Sequence, residues 1–325
     1  MKVYQDKNLL DNTKVSTLKS CPRKFFIRHV CDITEERTTS EALSFGTSWH
    51  AGMDVIWKLS SSTNDLVILT EAAMQEFYKF YPEDLSLSFM EGKVKSQSKR
   101  SPATAREMFF AYLEKYHHKI SQLKTVQVEV PFMIPIPGLE EIFYCGRLDK
   151  RVQLQDDSWE IYEHKTTSDY SRDYGFGYQF SNVWKIAAQV RGYQLQEYLK
   201  TGNQVTVYVD GSLVHAKERY FKQYPFRDSL EKLELFYQNL ANWSSVLVGK
   251  LFTFEQTQSG VDIFPKNEEQ CFGKYGQCEY LHLCMAEECD SLLEKVPVGY
   301  KRERWIPIKV VSSDPVNPGE QNGEC

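Results

Sequence analysis

The residues FYCGRLDKRVQL (143–154), QDDS (155–158) and WEIYEHKTT (159–167) decide the fold of this chain. Two runs of largely apolar character flank a short polar cluster. That pattern predicts a strand, a turn and a returning strand. In a strand, residues two apart point to the same face. Glu163 and Lys165 therefore project together, while His164 points away. The turn brings Asp149 beside Glu163, so two carboxylates and an ammonium meet at one end of a hairpin. A carboxylate pair can hold a hard cation such as Mg²⁺ or Mn²⁺. Such a cation can polarise a phosphodiester oxygen and lower the pKa of a bound water. The lysine can position that water or stabilise charge developing on the phosphate. A surface ion pair between Glu163 and Lys165 is the plainer alternative.

Outward from the hairpin, TVQVEVPFMI from 125 alternates apolar and polar residues and predicts another strand, as does QVTVYVDGSLV at 204–214. Helical spacing predicts helices over 13–30, 41–59, 65–81, 103–123, about 182–200 and 228–250. Residues 84–106 lack apolar periodicity and predict a mobile loop, and SSDPVNPGEQNGEC at 312–325 predicts a disordered tail. The order is helices, three strands, a helix, a strand and further helices. It predicts a mixed α/β core with helical additions at both ends.

The chain has 325 residues, 42% hydrophobic and 26% charged, enough to bury a sizeable core. A net charge of −5 excludes a strongly cationic protein that coats nucleic acid non-specifically. It leaves room for a local basic groove beside a carboxylate site. No apolar run approaches bilayer length, and the first residues, MKVYQDKNLLDN, lack a signal-peptide core. The expectation is a cytoplasmic protein with no membrane contact. Eight cysteines occur, four of them between 271 and 289, which in such a chain points to metal rather than disulfides.

GRLD followed by EHKTT resembles the PD-(D/E)XK nuclease superfamily, and more narrowly its RecB-type branch, which includes CRISPR-associated and phage exonucleases. The resemblance covers roughly residues 15–290 through five short motifs in order. It implies a restriction-endonuclease-like mixed sheet flanked by helices. It implies a metal held by Asp149, Glu163 and the main-chain carbonyl of His164, with Lys165 catalytic. FGTSWHAGMD resembles the Gly-x-x-x-His segment of that branch, which makes His50 a further metal ligand; a helix-surface histidine is the alternative. AQVRGY resembles its Gln-x-x-x-Tyr motif. Gln189 and Tyr193 then share a helix face toward the site. Gln194 and Tyr198 have the same spacing, and the distance from Lys165 favours the first pair. Glu129 in VEVPF sits where the family often has a Glu.

The resemblance also implies a [4Fe–4S] cluster bound by one cysteine before the core and three after it: Cys21, Cys271, Cys278 and Cys284. Thiolates are the soft ligands that such a cluster requires. The family's spacing between the last three is two residues and then five; here CFGKYGQCEYLHLC gives six and then five. Gly273 and Gly276 make the longer loop feasible. Cys289 is a spare that could substitute, and Zn²⁺ is the alternative occupant.

GKVKSQSKR carries Lys93, Lys95, Lys99 and Arg100, followed by Arg106, with no carboxylate between 92 and 106. It can neutralise DNA phosphates, or it can be a solvated loop. Tyr170, Tyr174, Phe176, Tyr178 and Phe180, with Arg172 among them, can stack on unpaired bases or fill a core. The chain divides into an N-terminal helical region at 1–124, a nuclease core at 125–250 and a cysteine region at 251–311, then the tail. The expected activity is that of a metal-dependent DNA nuclease, an exonuclease hydrolysing phosphodiester bonds at DNA ends or in single strands, in recombination, repair or phage DNA processing. A non-catalytic DNA-binding scaffold is the alternative. There is no GxxxxGK[ST] loop, so any helicase or recombination function would belong to a partner.

Overall fold

The computed structural model describes residues 8–36, 40–82, 99–273, 276–286 and 289–308. The predicted tail at 312–325 and most of the predicted loop at 84–106 lie outside them. The chain begins with a two-residue strand β1 (Leu9–Leu10) and helix α1 (Asn12–Ser20). The single helix predicted over 13–30 is broken. Cys21 is extended, at φ −155° and ψ 104°, before a short helix α2 (Pro22–Phe25) and a π-helical turn over Phe26–Val30. The cause is Pro22, whose ring disfavours helical geometry in the residue before it.

Strand β2 (Ile33–Glu35) is followed by three long helices, α3 (Glu41–Leu59), α4 (Leu66–Phe80) and α5 (Pro102–Ser121). Each starts at a side-chain cap: Ser40, Asp65 and Ser101 accept hydrogen bonds from first-turn N–H groups. Strands β3 (Thr125–Ile136), β4 (Leu139–Gln153) and β5 (Trp159–Thr167) come next. A short hairpin, β6 (Tyr170–Ser171) and β7 (Gly175–Phe176), leads to helix α6 (Tyr178–Val183). The helix predicted over 182–200 is therefore two pieces. A 3₁₀ turn and an extended Ala187 separate α6 from α7 (Ala188–Thr201), which ends at left-handed Gly202. Strands β8 (Thr206–Leu213) and β9 (Phe221–Phe226) and the long helix α8 (Leu230–Thr257) complete the core. Strand β9 escapes a sequence reading because Pro225 interrupts it. Proline is tolerated there because β9 lies at the sheet edge.

The sheet has six strands, with β1, β4, β5, β8 and β9 in order and β3 on the other side of β4. β4 is antiparallel to β3 and β5, β5 is parallel to β8, and β8 is antiparallel to β9. This is the mixed sheet that the motif order implies. Helices α3, α4 and α5 pack on one side with Val152, Tyr162 and Phe221. On the other side, α7, α8 and both ends of the chain pack with Ile161, Val207 and Val209. No helix among the described residues is long and apolar enough to cross a membrane.

The pairing of β4 positions the site. β1 joins it at Phe143 and Tyr144, while β5 joins it from Lys150 to Gln153. Between these partners the edge of β4 has no described strand neighbour, and Asp149 stands at the end of that gap.

Candidate active site

Asp149 lies one residue beyond the last ladder pair of β4 with β5, Lys150 opposite Tyr162. Its carboxylate takes over where the ladder stops. Asp149 Oδ2 accepts the His164 backbone N–H at 2.9 Å, so a buried donor stays satisfied as the strands part. His50 of α3 brings Nδ1 to 3.2 Å from the same oxygen. Glu163 is almost wholly buried, with Lys165 Nζ in contact with its Oε1. Gln189 Nε2 donates to Glu163 Oε1 at 2.7 Å and also reaches Tyr193 Oη at 2.7 Å. The Tyr193 hydroxyl lies 2.9 Å from Glu163 Oε2 and 2.9 Å from the Arg147 carbonyl oxygen, on the unpaired stretch of β4. Its one proton serves one acceptor at a time. Gln194 instead bonds the backbone of Phe226 and Asp228. Of the two candidate pairs, the structure thus brings Gln189 and Tyr193 to Glu163. A buried bidentate ion pair, Arg151 with Glu197, pins α7 to β4 and so sets the height of that pair.

The His164 side chain lies on the opposite face. It is fully buried against Trp57 and Tyr112, with Nδ1 3.2 Å from Asp210 Oδ2. Tyr112 donates to the same carboxylate oxygen. Burial, then the nearby Lys150 charge, lowers the His164 pKa and favours a neutral ring.

The electrostatics tie the cluster together. Burial opposes ionisation of Asp149, but His50, Lys150 and Lys165 overcome it and hold its carboxyl well below the usual range. Glu163 moves the other way: burial and then the Asp149 charge push it up, against Lys165 and His50. Burial works to lower both His50 and Lys165, yet the neighbouring carboxylates raise them. Two carboxylates thus share one desolvated site that only cations make tenable. That donor set, with an imidazole beside it, suits a hard divalent ion. As they stand, the side chains are tied to one another: among the described residues, no three His, Cys, Asp or Glu groups are placed to hold a metal ion.

A cleft of about 760 Å³ opens onto this cluster, lined by Gly46, His50, Asp54, Glu129, Arg147 and Lys165 among others. Glu129 adopts φ 52° in the middle of β3, at the register position facing Asp149, and pairs with Arg147 of the neighbouring strand at 2.8 Å. A non-glycine residue in the left-handed region costs about 1–3 kcal/mol, a strain that concentrates at functional sites. Arg100, which follows Lys99, reaches Ser168 Oγ at 3.3 Å, two residues beyond Thr166 of the cleft lining. Lys93 and Lys95 lie outside the described residues.

Sequence reasoning missed Asp54 and Lys150. The Lys150 side chain is wholly buried, and its ammonium contacts Asp54 of α3. Two signals were present. Asp54 follows His50 by four residues on one helix, and a lysine inside a buried strand demands an anionic partner.

The cysteines gather where the chain ends meet. The Asn267 N–H donates to Cys21 Sγ at 3.4 Å, and the Cys278 N–H to the Cys271 carbonyl at 2.8 Å. Cys271 Sγ lies 3.9 Å from the Asn267 carbonyl oxygen. Arg23 spans this region, bonding the Phe264 and Val261 carbonyls and approaching Cys289 Sγ at 3.8 Å. None of the seven cysteines among the described residues is in a disulfide. Cys284 and Arg23 draw the Cys289 thiol down to about 7, against its burial.

The model of the PD-(D/E)XK nuclease superfamily matches residues 12–285, and this chain belongs to that superfamily. No curated protein matches it. Among solved structures it is similar to a "Putative exonuclease" from Eubacterium rectale, at 12% identity and a TM-score of 0.43, covering 88% of this chain and 91% of that one.

Proposed function

We propose that this protein is a divalent-metal-dependent deoxyribonuclease that hydrolyses phosphodiester bonds at DNA ends or in single strands. The observation that carries the reading is the meeting of Asp149, Glu163, Lys165 and His50 beside one cleft. An exposed Glu-x-Lys pair would leave Glu163 in water, whereas here it is buried, and Gln189 and Tyr193 fix its two oxygens.

His50, Asp149, Glu163 and the main-chain carbonyl of His164 are the groups that would hold Mg²⁺ or Mn²⁺. When bound, the ion supplies Lewis acidity toward a phosphodiester oxygen and acidifies a water. Lys165 places a fixed positive charge where negative charge develops on the phosphate. Glu163 keeps that ammonium charged, since the pair raises the lysine pKa despite burial. Gln189 and Tyr193 hold the Glu163 carboxylate in one orientation. Arg147, Lys99 and Arg100 supply cations for the phosphate backbone at the rim.

Cys21, Cys271, Cys278 and Cys284 would hold a [4Fe–4S] cluster, with Zn²⁺ the alternative. Asn267 contacts both Cys21 and Cys271 and so links cysteines from the two chain ends, which supports this, and a bound cluster would close a very long loop around the core. Any unwinding in recombination, repair or phage DNA processing would be the work of a helicase partner.

The test is digestion of end-labelled single- and double-stranded DNA with Mg²⁺, with Mn²⁺ and with EDTA. Cleavage in either metal and none in EDTA supports the reading; no cleavage in any condition defeats it.

A further inference from the structure

The chain that follows Lys165 bears on which form of DNA enters the cleft, an inference that rests on the nuclease reading above. Lys165 pairs with Gly211 of the parallel strand β8. Side chains paired in this way share a face of the sheet, and Gly211 contributes none. A Cβ at Gly211 would come within 2.8 Å of the Phe180 ring and 3.1 Å of the Phe176 ring. The bare strand therefore lets both rings sit on the face that carries Lys165, where they form a small buried cluster with Leu213. These two aromatics of the 170–180 run are core.

The strap from 169 to 186 is closed on itself by Asp169. Its carbonyl accepts the Gly177 N–H at 2.9 Å, and its carboxylate accepts the Phe180 N–H at 3.1 Å. The strap then returns past the site, with the Trp184 ring centroid 5.8 Å from Lys165 Nζ. Its root is bounded by Ser168, on which Arg100 bonds. The inner face is fixed, and the outer face is bare. Tyr174 is 78% exposed, Tyr178 83% and Ile186 73%. Tyr170 stacks on His215, with centroids 4.8 Å apart. Arg172 and Lys185 are exposed among them, as is Asp173.

Two features select the occupant. The surface is continuous with the cationic margin of the cleft, where Lys165 and Arg100 stand. It also mixes tyrosine rings with charged groups, whereas the core of a protein interface is depleted of charge. Ring faces can stack only on bases whose own faces are free, which a duplex does not offer along its length. We propose that the outer face of the 169–186 strap is a stacking platform for an unpaired DNA strand, with Tyr174 and Tyr178 as its exposed rings, leading the strand to Lys165.

The experiment uses the full chain in EDTA, with fluorescence anisotropy of a labelled oligothymidylate and of a blunt hairpin duplex. The Tyr174→Ala/Tyr178→Ala protein should bind the oligothymidylate roughly tenfold or more weakly, the size of loss expected for stacking, with duplex affinity unchanged. Tyr174→Phe/Tyr178→Phe should retain single-strand affinity, because the ring faces do the stacking. An alanine variant with unaltered single-strand affinity, or with equal losses on both probes, overturns this inference alone. Wild-type protein that binds neither probe and digests neither in Mg²⁺ overturns the nuclease reading, and this inference with it.

Discussion

Asp54 and Lys150 form an ion pair one helical turn along α3 from the contact between His50 and Asp149. The two contacts make successive rungs between one helix and two adjacent residues of β4. The lower rung has a wholly buried lysine, so it resists sliding of α3 along the strand. His50 is thereby held against Asp149 before any ligand arrives. The strained Glu129, on β3 beside Asp149, adds a second fixed point in the cleft lining.

Removing one partner of this buried pair leaves a charge stranded. Asp54→Asn should destabilise the fold by about 3–5 kcal/mol, whereas Asp54→Leu combined with Lys150→Met should recover most of that loss. Urea unfolding of the single and double variants measures both. A double-variant loss equal to the sum of the Asp54→Leu and Lys150→Met losses would argue that the pair is not coupled.

Tyr193 and Gln189 each donate toward Glu163 from α7. Loss of a hydrogen bond to a charged group is worth about 1.5–3 kcal/mol, or at least tenfold. Tyr193→Phe should therefore slow single-turnover DNA cleavage about tenfold or more and, because the hydroxyl is buried, lower the unfolding midpoint as well while circular dichroism shows a folded protein. Gln194→Ala should not slow it, because Gln194 bonds the backbone near β9. The reverse ranking would transfer the role to the other pair.

His29 is 5% exposed, and neither ring nitrogen has a hydrogen-bond partner among the described residues. Burial, then Lys14, Arg28 and Lys24, lower its pKa from 6.5 to about 3. The unfolded chain therefore binds this proton at a higher pH than the folded one. The stabilisation is complete above pH 6.5 and declines as pH falls toward 3, by about 1.4 kcal/mol per unit. The difference in urea unfolding between wild type and the His29→Gln variant from pH 6.5 to about 5 reads this slope, because the raised Glu163 and His50 are common to both. His29→Gln should flatten it, and an identical slope in that variant would locate the titration elsewhere.

The cysteine proposal is read from the purified protein. Iron and sulfide in a brown preparation, lost in Cys278→Ser, are the expected result. A colourless protein carrying zinc selects the other occupant, and a metal-free protein with normal stability removes the site.

Much of the core was legible because its signals are local. Period-two alternation and the QDDS turn predict the β4–β5 hairpin, and the spacing of Glu163 and Lys165 predicts their shared face. Apolar spacing predicts α3 as Glu41–Leu59, where it is found. The misses are tertiary. Strand β9 is disguised by Pro225, which only an edge position excuses. The break at Cys21 follows from Pro22 and was readable, but apolar spacing on either side masked it. The Asp54–Lys150 pair spans 96 residues: a lysine in a buried strand calls for an anion, but only the tertiary fold says which one. The aromatic run 170–180 divides into buried phenylalanines and exposed tyrosines only because a glycine faces it from another strand.

The most direct measurement compares wild-type protein with Lys165→Ala on linear end-labelled DNA in Mg²⁺ or Mn²⁺, with circular dichroism of both. The account predicts cleavage by the wild type, none by the variant, and superimposable spectra. Undiminished cleavage by a folded Lys165→Ala protein would contradict it.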